Sequence, residues 1–150
     1  MRSWLAFLVL PVGLVACSVD ASDLSLTARI SQPSIQVTNS AFSGINGSFH
    51  LDLALGSEAN GSTEVSSGNF ELQNEAGESL VALTDALPTP MFPINLNKGE
   101  SKTMVFVLDG ISVDRDAVCA GRVRIVGSVM DTLKNGTEPV QSDLFKPDCG

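Results

Sequence analysis

Phe49-His50-Leu51-Asp52-Leu53-Ala54-Leu55 sets large apolar residues at every odd position, with smaller or polar ones between them. Successive side chains of an extended chain point to opposite faces, so this stretch reads as a strand with one buried face. The same period of two runs through Leu24, Leu26, Ala28 and Ile30, and again through Ile35 and Val37. Phe70 and Leu72 make a short strand and residues 80–83 another. Residues 104–108 are a continuous apolar run of strand length. Residues 118–129 alternate once more, with Cys119, Val123, Ile125 and Val129 on one face and Arg122 and Arg124 on the other. Residues 140–145 close the sheet.

Turn chemistry separates these runs. Gly44-Ile45-Asn46-Gly47, Asn60-Gly61, residues 74–77, residues 97–99, Asp109-Gly110 and Asn135-Gly136 all carry it. Asn-Gly and Asp-Gly suit tight hairpins because both residues tolerate positive φ. No stretch beyond the first sixteen residues shows helical periodicity. Seven or eight short strands with turns between them predict an antiparallel β-sandwich, immunoglobulin-like in size, with a small β-barrel as the alternative. The Cys…Trp…Cys pattern of antibody domains is absent, since the one Trp is Trp4. Residues 56–68, rich in Ser, Asn and Gly, read as a loop. Pro88, Pro90 and Pro93 make residues 87–94 an edge or a crossover, because proline lacks the ladder donor. Residues 24–150 form one domain without internal repeats.

Composition narrows the function classes. Of 150 residues, 43% are hydrophobic and 17% charged, which is too apolar for a disordered chain. Nine Lys and Arg against 17 Asp and Glu give a net charge of -8, the wrong sign for neutralising phosphates, so nucleic acid is excluded as a partner.

The first sixteen residues stand apart. Arg2 is the only charge before Asp20, and residues 4–15 are apolar apart from Pro11 and Gly13. A basic start, a short apolar core and small residues after it describe a secretory signal peptide. The core is about a dozen residues long, and a spanning helix needs roughly 20.

Leu14-Val15-Ala16-Cys17 follows that core and resembles the lipobox of bacterial lipoproteins. The resemblance implies removal of residues 1–16, acylation of Cys17 (palmitate among the chains), and residues 17–23 as a short lipidated tether. It places the chain in the cell envelope, anchored to a membrane by several acyl chains where one alone holds weakly. In that family an Asp after the cysteine favours the inner membrane. Here the residue is Ser18, which favours the outer membrane in a Gram-negative cell. An ordinary signal peptide cut near Ala21 is the alternative. Removing residues 1–16 takes away Arg2 and leaves a net charge of -9. The six residues 18–23 reach about 20 Å when extended.

Lipidation also accounts for an odd cysteine. With Cys17 acylated, Cys119 and Cys149 remain as a pair, and export carries them to a compartment where a disulfide persists. On the chain-entropy estimate, closing a loop of about 31 residues is worth roughly 3.5–4 kcal/mol. The bridge would tie down residues 146–150, which would otherwise fray.

Chemistry is sparse in the remainder. His50 is the sole histidine, and Asp52 shares its strand face, so the two form a candidate base and orienter for a small envelope hydrolase. No Gly-x-Ser-x-Gly elbow accompanies them. One histidine is also too few for an ordinary transition-metal site. Asp109, Asp114 and Asp116 are weak candidates for Ca²⁺, with Arg115 among them and no EF-hand spacing. Glycosidase-like carboxylate pairs are uninformative among so many acids, and the chain beyond residue 16 has neither Trp nor Tyr for sugar stacking. Phe49, Phe70 and Phe106 sit in strand patterns and are core candidates, whereas Met91 and Phe92, between prolines, are a candidate partner contact or a plug for one end. Asn46-Gly47-Ser48, Asn60-Gly61-Ser62 and Asn135-Gly136-Thr137 read as hairpin turns rather than glycan acceptors in a bacterial chain. The expectation is a membrane-anchored, non-enzymatic binding or structural module without a cofactor. Such a module meets an envelope protein through loops or by strand addition at an edge.

Overall fold

The computed structural model describes residues 24–38 and 43–150. The lipobox, Cys17, the tether and Phe42 lie outside the described residues. Nine strands and one short helix follow in chain order: β1 Leu26–Val37, β2 Gly44–Leu55, β3 Thr63–Asn74, β4 Ser79–Ala82, β5 Leu87–Thr89, β6 Ile94–Leu96, β7 Ser101–Ser112, α1 Arg115–Cys119, β8 Val123–Asp131 and β9 Gly136–Gln141. Every strand pairing is antiparallel. One sheet has the order β1-β2-β7-β5, and the other β4-β3-β8-β9 with β6 beside the start of β3. The two sheets pack as a β-sandwich and not as a closed barrel.

Phe49 opens the pattern that decides the fold, and it also sits at the centre of the core. Its ring stacks on Phe106 of β7, with centroids 4.6 Å apart and planes within 9°. Phe70 leans onto both rings from the opposite sheet, at 5.5 and 5.0 Å. Opposite Phe70 on β8 is Gly127, where an added Cβ would stand 2.4 Å from the Phe70 ring. Only a residue without a side chain admits the ring there. Around the rings pack Leu26, Ile30, Leu51, Leu53, Leu72, Met104, Leu108, Ile125 and Val129, all essentially inaccessible to solvent.

Three strands are longer than their sequence patterns suggest, because each carries a bulge that shifts the alternation by one residue. In β1 the buried residues move from Leu26 and Ile30 to Ile35 and Val37, across an irregularity between Ser31 and Ser34. Gln32 takes φ 49° there. In β3 they move from Thr63 and Val65 to Phe70 and Leu72, so half of the expected loop 56–68 is strand. In β7 they move from Met104, Phe106 and Leu108 to Ile111, past Gly110 at φ 64°.

Two expected turns are therefore strand interior. Gly44-Ile45-Asn46-Gly47 lies within β2, and Asp109-Gly110 within β7. Gly47 is required by close approach, since a Cβ on it would fall 1.9 Å from the Ser34 carbonyl oxygen. Asn46 Oδ1 accepts from the Gly110 amide at 2.9 Å and ties the two irregular segments together. Asn74, Asn97 and Asn135 do precede or form reversals between strands, with Asn135 at φ 49°.

The expected strand over 118–129 begins only at Val123. Residues 115–119 are helical because the Asp114 carboxylate caps the turn, accepting from the Asp116 and Ala117 amides. A single turn is too short to show a period of 3.6. Cys119 ends this helix and is bonded to Cys149.

Chain crossings close both flanks of the sandwich. On one flank the chain passes from β4 to β5 in the facing sheet and back to β6, with cis peptide bonds before Pro90 and Pro93. On the other, the C-terminal segment leaves β9 and exchanges two backbone bonds between Phe145 and Val123, both 2.9 Å. It then reaches β1, where Asp148 makes a parallel bridge with Gln36. The loops at one end are braced by Asp131, a buried acid whose Oδ1 accepts from Thr63 Oγ1 and from the Leu133 amide.

Because the aromatic trio spans both sheets, Phe106→Ala is expected to cost about 3–5 kcal/mol of folding stability. Denaturant titration against the unsubstituted chain measures the loss.

Candidate functional site

The outer faces of the two sheets differ in character. On the β1-β2-β7-β5 sheet, His50 pairs with Ser31 on one side and Val105 on the other, and Asp52 pairs with Arg29 and Thr103. The Asp52 carboxylate accepts from Ser31 Oγ at 2.5 Å and from Thr103 Oγ1 at 2.6 Å. These two bonds, Ser31 first, hold its pKa below the usual carboxylate value, with smaller help from the charges of His50 and Arg29. Partial burial opposes the shift and is outweighed.

Ser31, His50 and Asp52 thus share one face, but not in the order that a nucleophilic relay needs. In such a relay the serine donates to the imidazole and the imidazole to the carboxylate. Here the Ser31 proton goes straight to Asp52, and no hydrogen bond joins His50 to either residue among the described residues. A carboxylate holding two donors with a depressed pKa is also a weak base.

The acids considered for Ca²⁺ are dispersed by secondary structure. Asp109 belongs to β7, Asp114 is occupied as the helix cap, and Asp116 stands in the first turn of α1. Among the described residues, no group of three or more His, Cys, Asp or Glu is placed to hold a metal ion.

Met91 and Phe92 point in different directions. Met91 is 75% exposed, whereas Phe92 packs on the core with its centroid 6.2 Å from Phe106. Leu87 and Val107 are cross-strand neighbours on the outer face, and both are exposed. They form a small apolar patch that the sequence reading did not single out.

A broad concavity lies on the outer face of the other sheet. It is a groove of about 770 Å³ across β3, β8 and β9, reaching to Ala82 and Thr84. Its floor is one cross-strand row, Ala82, Glu71, Val126 and Gln141, set by the register. Next to it run Ser128 and Pro139. The β3 bulge interrupts the outward row between Ser66 and Glu71, and the depression lies there with Asn69 on its wall.

Glu71 is committed within the protein. It accepts from Ser79 at 2.7 Å and from Gln73 at 2.6 Å, and these bonds lower its pKa. Asn69, Thr84, Ser128 and Gln141 supply uncharged donors and acceptors to the groove. None of these side chains makes a hydrogen bond within the described residues. Sequence reasoning missed the groove because it depends on register and on a bulge. The one trace in the sequence is the phase change between Val65 and Phe70.

The edges of the sheets are blunted. β5 contains Pro88, β9 contains Pro139, and β4 has four residues. Short strands and prolines discourage the addition of a further strand. Comparison with protein-family models, curated proteins and solved structures finds no match for this chain.

The Asp52 bonds give a pH prediction. A folded-state pKa below the unfolded value of about 3.9 stabilises the fold above that pH. The contribution disappears as pH falls through the lower folded value. Ser31→Ala is therefore expected to raise the Asp52 pKa and to make unfolding begin at higher pH on acid titration. Carboxyl NMR of Asp52 and acid unfolding of both forms measure this. An unchanged Asp52 titration would show that the Ser31 bond does not hold the carboxylate.

Proposed function

We propose that this chain is an exported lipoprotein of the cell envelope, acylated at Cys17, whose domain is a non-enzymatic binding module. The observation that carries binding is the groove over β3, β8 and β9, half-open and lined by uncharged hydrogen-bonding side chains beside Ala82, Val126 and Pro139. Such a surface offers amide and hydroxyl partners together with small apolar contacts, which suits a segment of another polypeptide. The absence of charge from these four side chains and the commitment of Glu71 argue for recognition rather than proton transfer. The proline-bearing edges favour docking on a face over strand addition at β5 or β9.

An immunoglobulin-like topology fits this reading. The orders β1-β2-β7-β5 and β4-β3-β8-β9 correspond to strands A-B-E-D and C′-C-F-G of that architecture. The three phenylalanines would then occupy the place of the core Trp and its disulfide, and Cys119–Cys149 would lie outside that core.

The tether gives the module an orientation. β1 begins opposite Leu55, and the Gly56 amide donates to the Ser25 carbonyl at 3.1 Å. The loop 56–62 and the turn around Gly99 lie at that end, since the Gly99 amide donates to Leu55. A six-residue tether turns this end toward the bilayer and leaves α1 and the C-terminal disulfide facing away. Outer-membrane placement follows from Ser18 if the cell is Gram-negative.

Incorporating a photo-cross-linking residue at Gln141 in living cells is expected to capture a discrete envelope protein. The same residue at Thr27, on the opposite sheet, is expected to capture none. Ser128→Trp, which fills the groove, should weaken capture about tenfold, equivalent to ~1.4 kcal/mol. Equal capture from both faces, or none from Gln141, contradicts the groove as the contact surface.

A further inference from the structure

We infer that residues 144–150 are a strap over the edge of β1, and that the Cys119–Cys149 bond is a latch whose reduction releases the strap while the sandwich stays folded. The strap is the outer backbone neighbour of β1 between Ile35 and Val37. The Val37 amide donates to the Asp148 carbonyl at 2.7 Å, and the Asp148 amide donates to the Ile35 carbonyl at 2.9 Å. With the strap in place this stretch of β1 is paired on both sides. With the strap gone it presents an unpaired amide and carbonyl. Residues 34–37 contain no proline, unlike β5 and β9. Pro33 precedes this stretch within β1, so the ring-free part of the edge is the short segment that the strap covers.

Little apart from the covalent bond holds the strap. Pro147 is its one buried side chain, Phe145 is half-buried, and Lys146, Asp148 and Gly150 are exposed. Its polar attachments are backbone bonds at an edge, a bond from Arg115 Nη2 to the Cys149 carbonyl and a longer one from Arg122 to Leu144. Water competes for such bonds, so each contributes modestly. The disulfide makes their re-formation intramolecular and keeps the effective concentration of the strap high. The strap does join β8 to β1 through Phe145 and Asp148, with Phe145 at the margin of the core, but the aromatic trio and the strand ladders that hold the two sheets lie outside it. Loss of the bond should therefore act locally.

Both cysteines are half-buried at the margin of the core rather than enclosed within it. One thiolate of the dithiol attacks a cysteine sulfur, forms a mixed disulfide and expels the other cysteine as thiolate. The second thiol of the reductant then displaces the first cysteine. The products are two cysteine thiols and one oxidised dithiol. The redox poise of the surroundings then decides whether the β1 edge is covered.

Hydrogen exchange resolves this on the folded protein, before and after treatment with a dithiol and capping of the thiols. The Val37 amide is expected to exchange faster by on the order of 100-fold, while amides of the β2–β7 ladder keep their protection. The double variant Cys119→Ser, Cys149→Ser should reproduce the reduced pattern without a reductant. Unchanged protection at Val37 would mean that the strap holds without its latch. Joint loss at Val37 and in the β2–β7 ladder would make the bond a staple of the whole fold. Either result overturns the inference, and neither depends on the lipid anchor or the groove.

Discussion

The sandwich is organised around the contact of Phe70 with the stacked rings of Phe49 and Phe106. Two sheets that touch through three aromatic rings need room for them, and the chain provides it at Gly127. They also need Phe70 to face inward although Val65 already does, which the bulge in β3 accomplishes by shifting the alternation. That bulge breaks the outward row of side chains above it, and the groove lies at the break. The internal packing and the external concavity thus share one cause. A substitution that straightened β3 would disturb both.

The sides of the sandwich are closed separately. Sandwiches leave their edge strands unpaired, and unpaired edges invite association with other chains. Here prolines mark three edge strands, β1, β5 and β9, the β4–β5–β6 crossing covers one flank, and the C-terminal segment stitches β8 to β1 on the other. What stays open to a partner is a face. This division lets a domain with many short strands remain selective about what it pairs with.

Much of the architecture was legible in the sequence because half-buried strands write their burial as a period of two. Residues 49–55 and 104–108 lie in β2 and β7, and all three candidate core phenylalanines meet. The readings failed where a bulge shifts the phase, since a phase change looks like a strand end. For that reason 63–68 read as loop, and glycines at 44–47 and 110 read as turns, although Gly47 is a point of close backbone approach and Gly110 a positive-φ position within a strand. The helix at 115–119 is shorter than any period that would show it. Its trace is Asp114 followed by acid in the first turn. The groove left no trace beyond the phase change between Val65 and Phe70, because it is assembled from residues that only the strand register brings together. His50, Ser31 and Asp52 make the converse case. Sequence spacing placed the last with the first, but the direction of one hydroxyl proton decides what the trio can do, and only the structure shows it.

The anchoring proposed at Cys17 would give these surfaces their setting, since it would decide which compartment acts on the disulfide. The most direct measurement is mass spectrometry of the N-terminal peptide from the membrane fraction of cells expressing the whole chain. The expected result is a peptide beginning at Cys17 and carrying a thioether-linked diacylglycerol, with none found from a Cys17→Ala form. A soluble chain that begins beyond Cys17, or one that retains an unmodified Cys17, would contradict it.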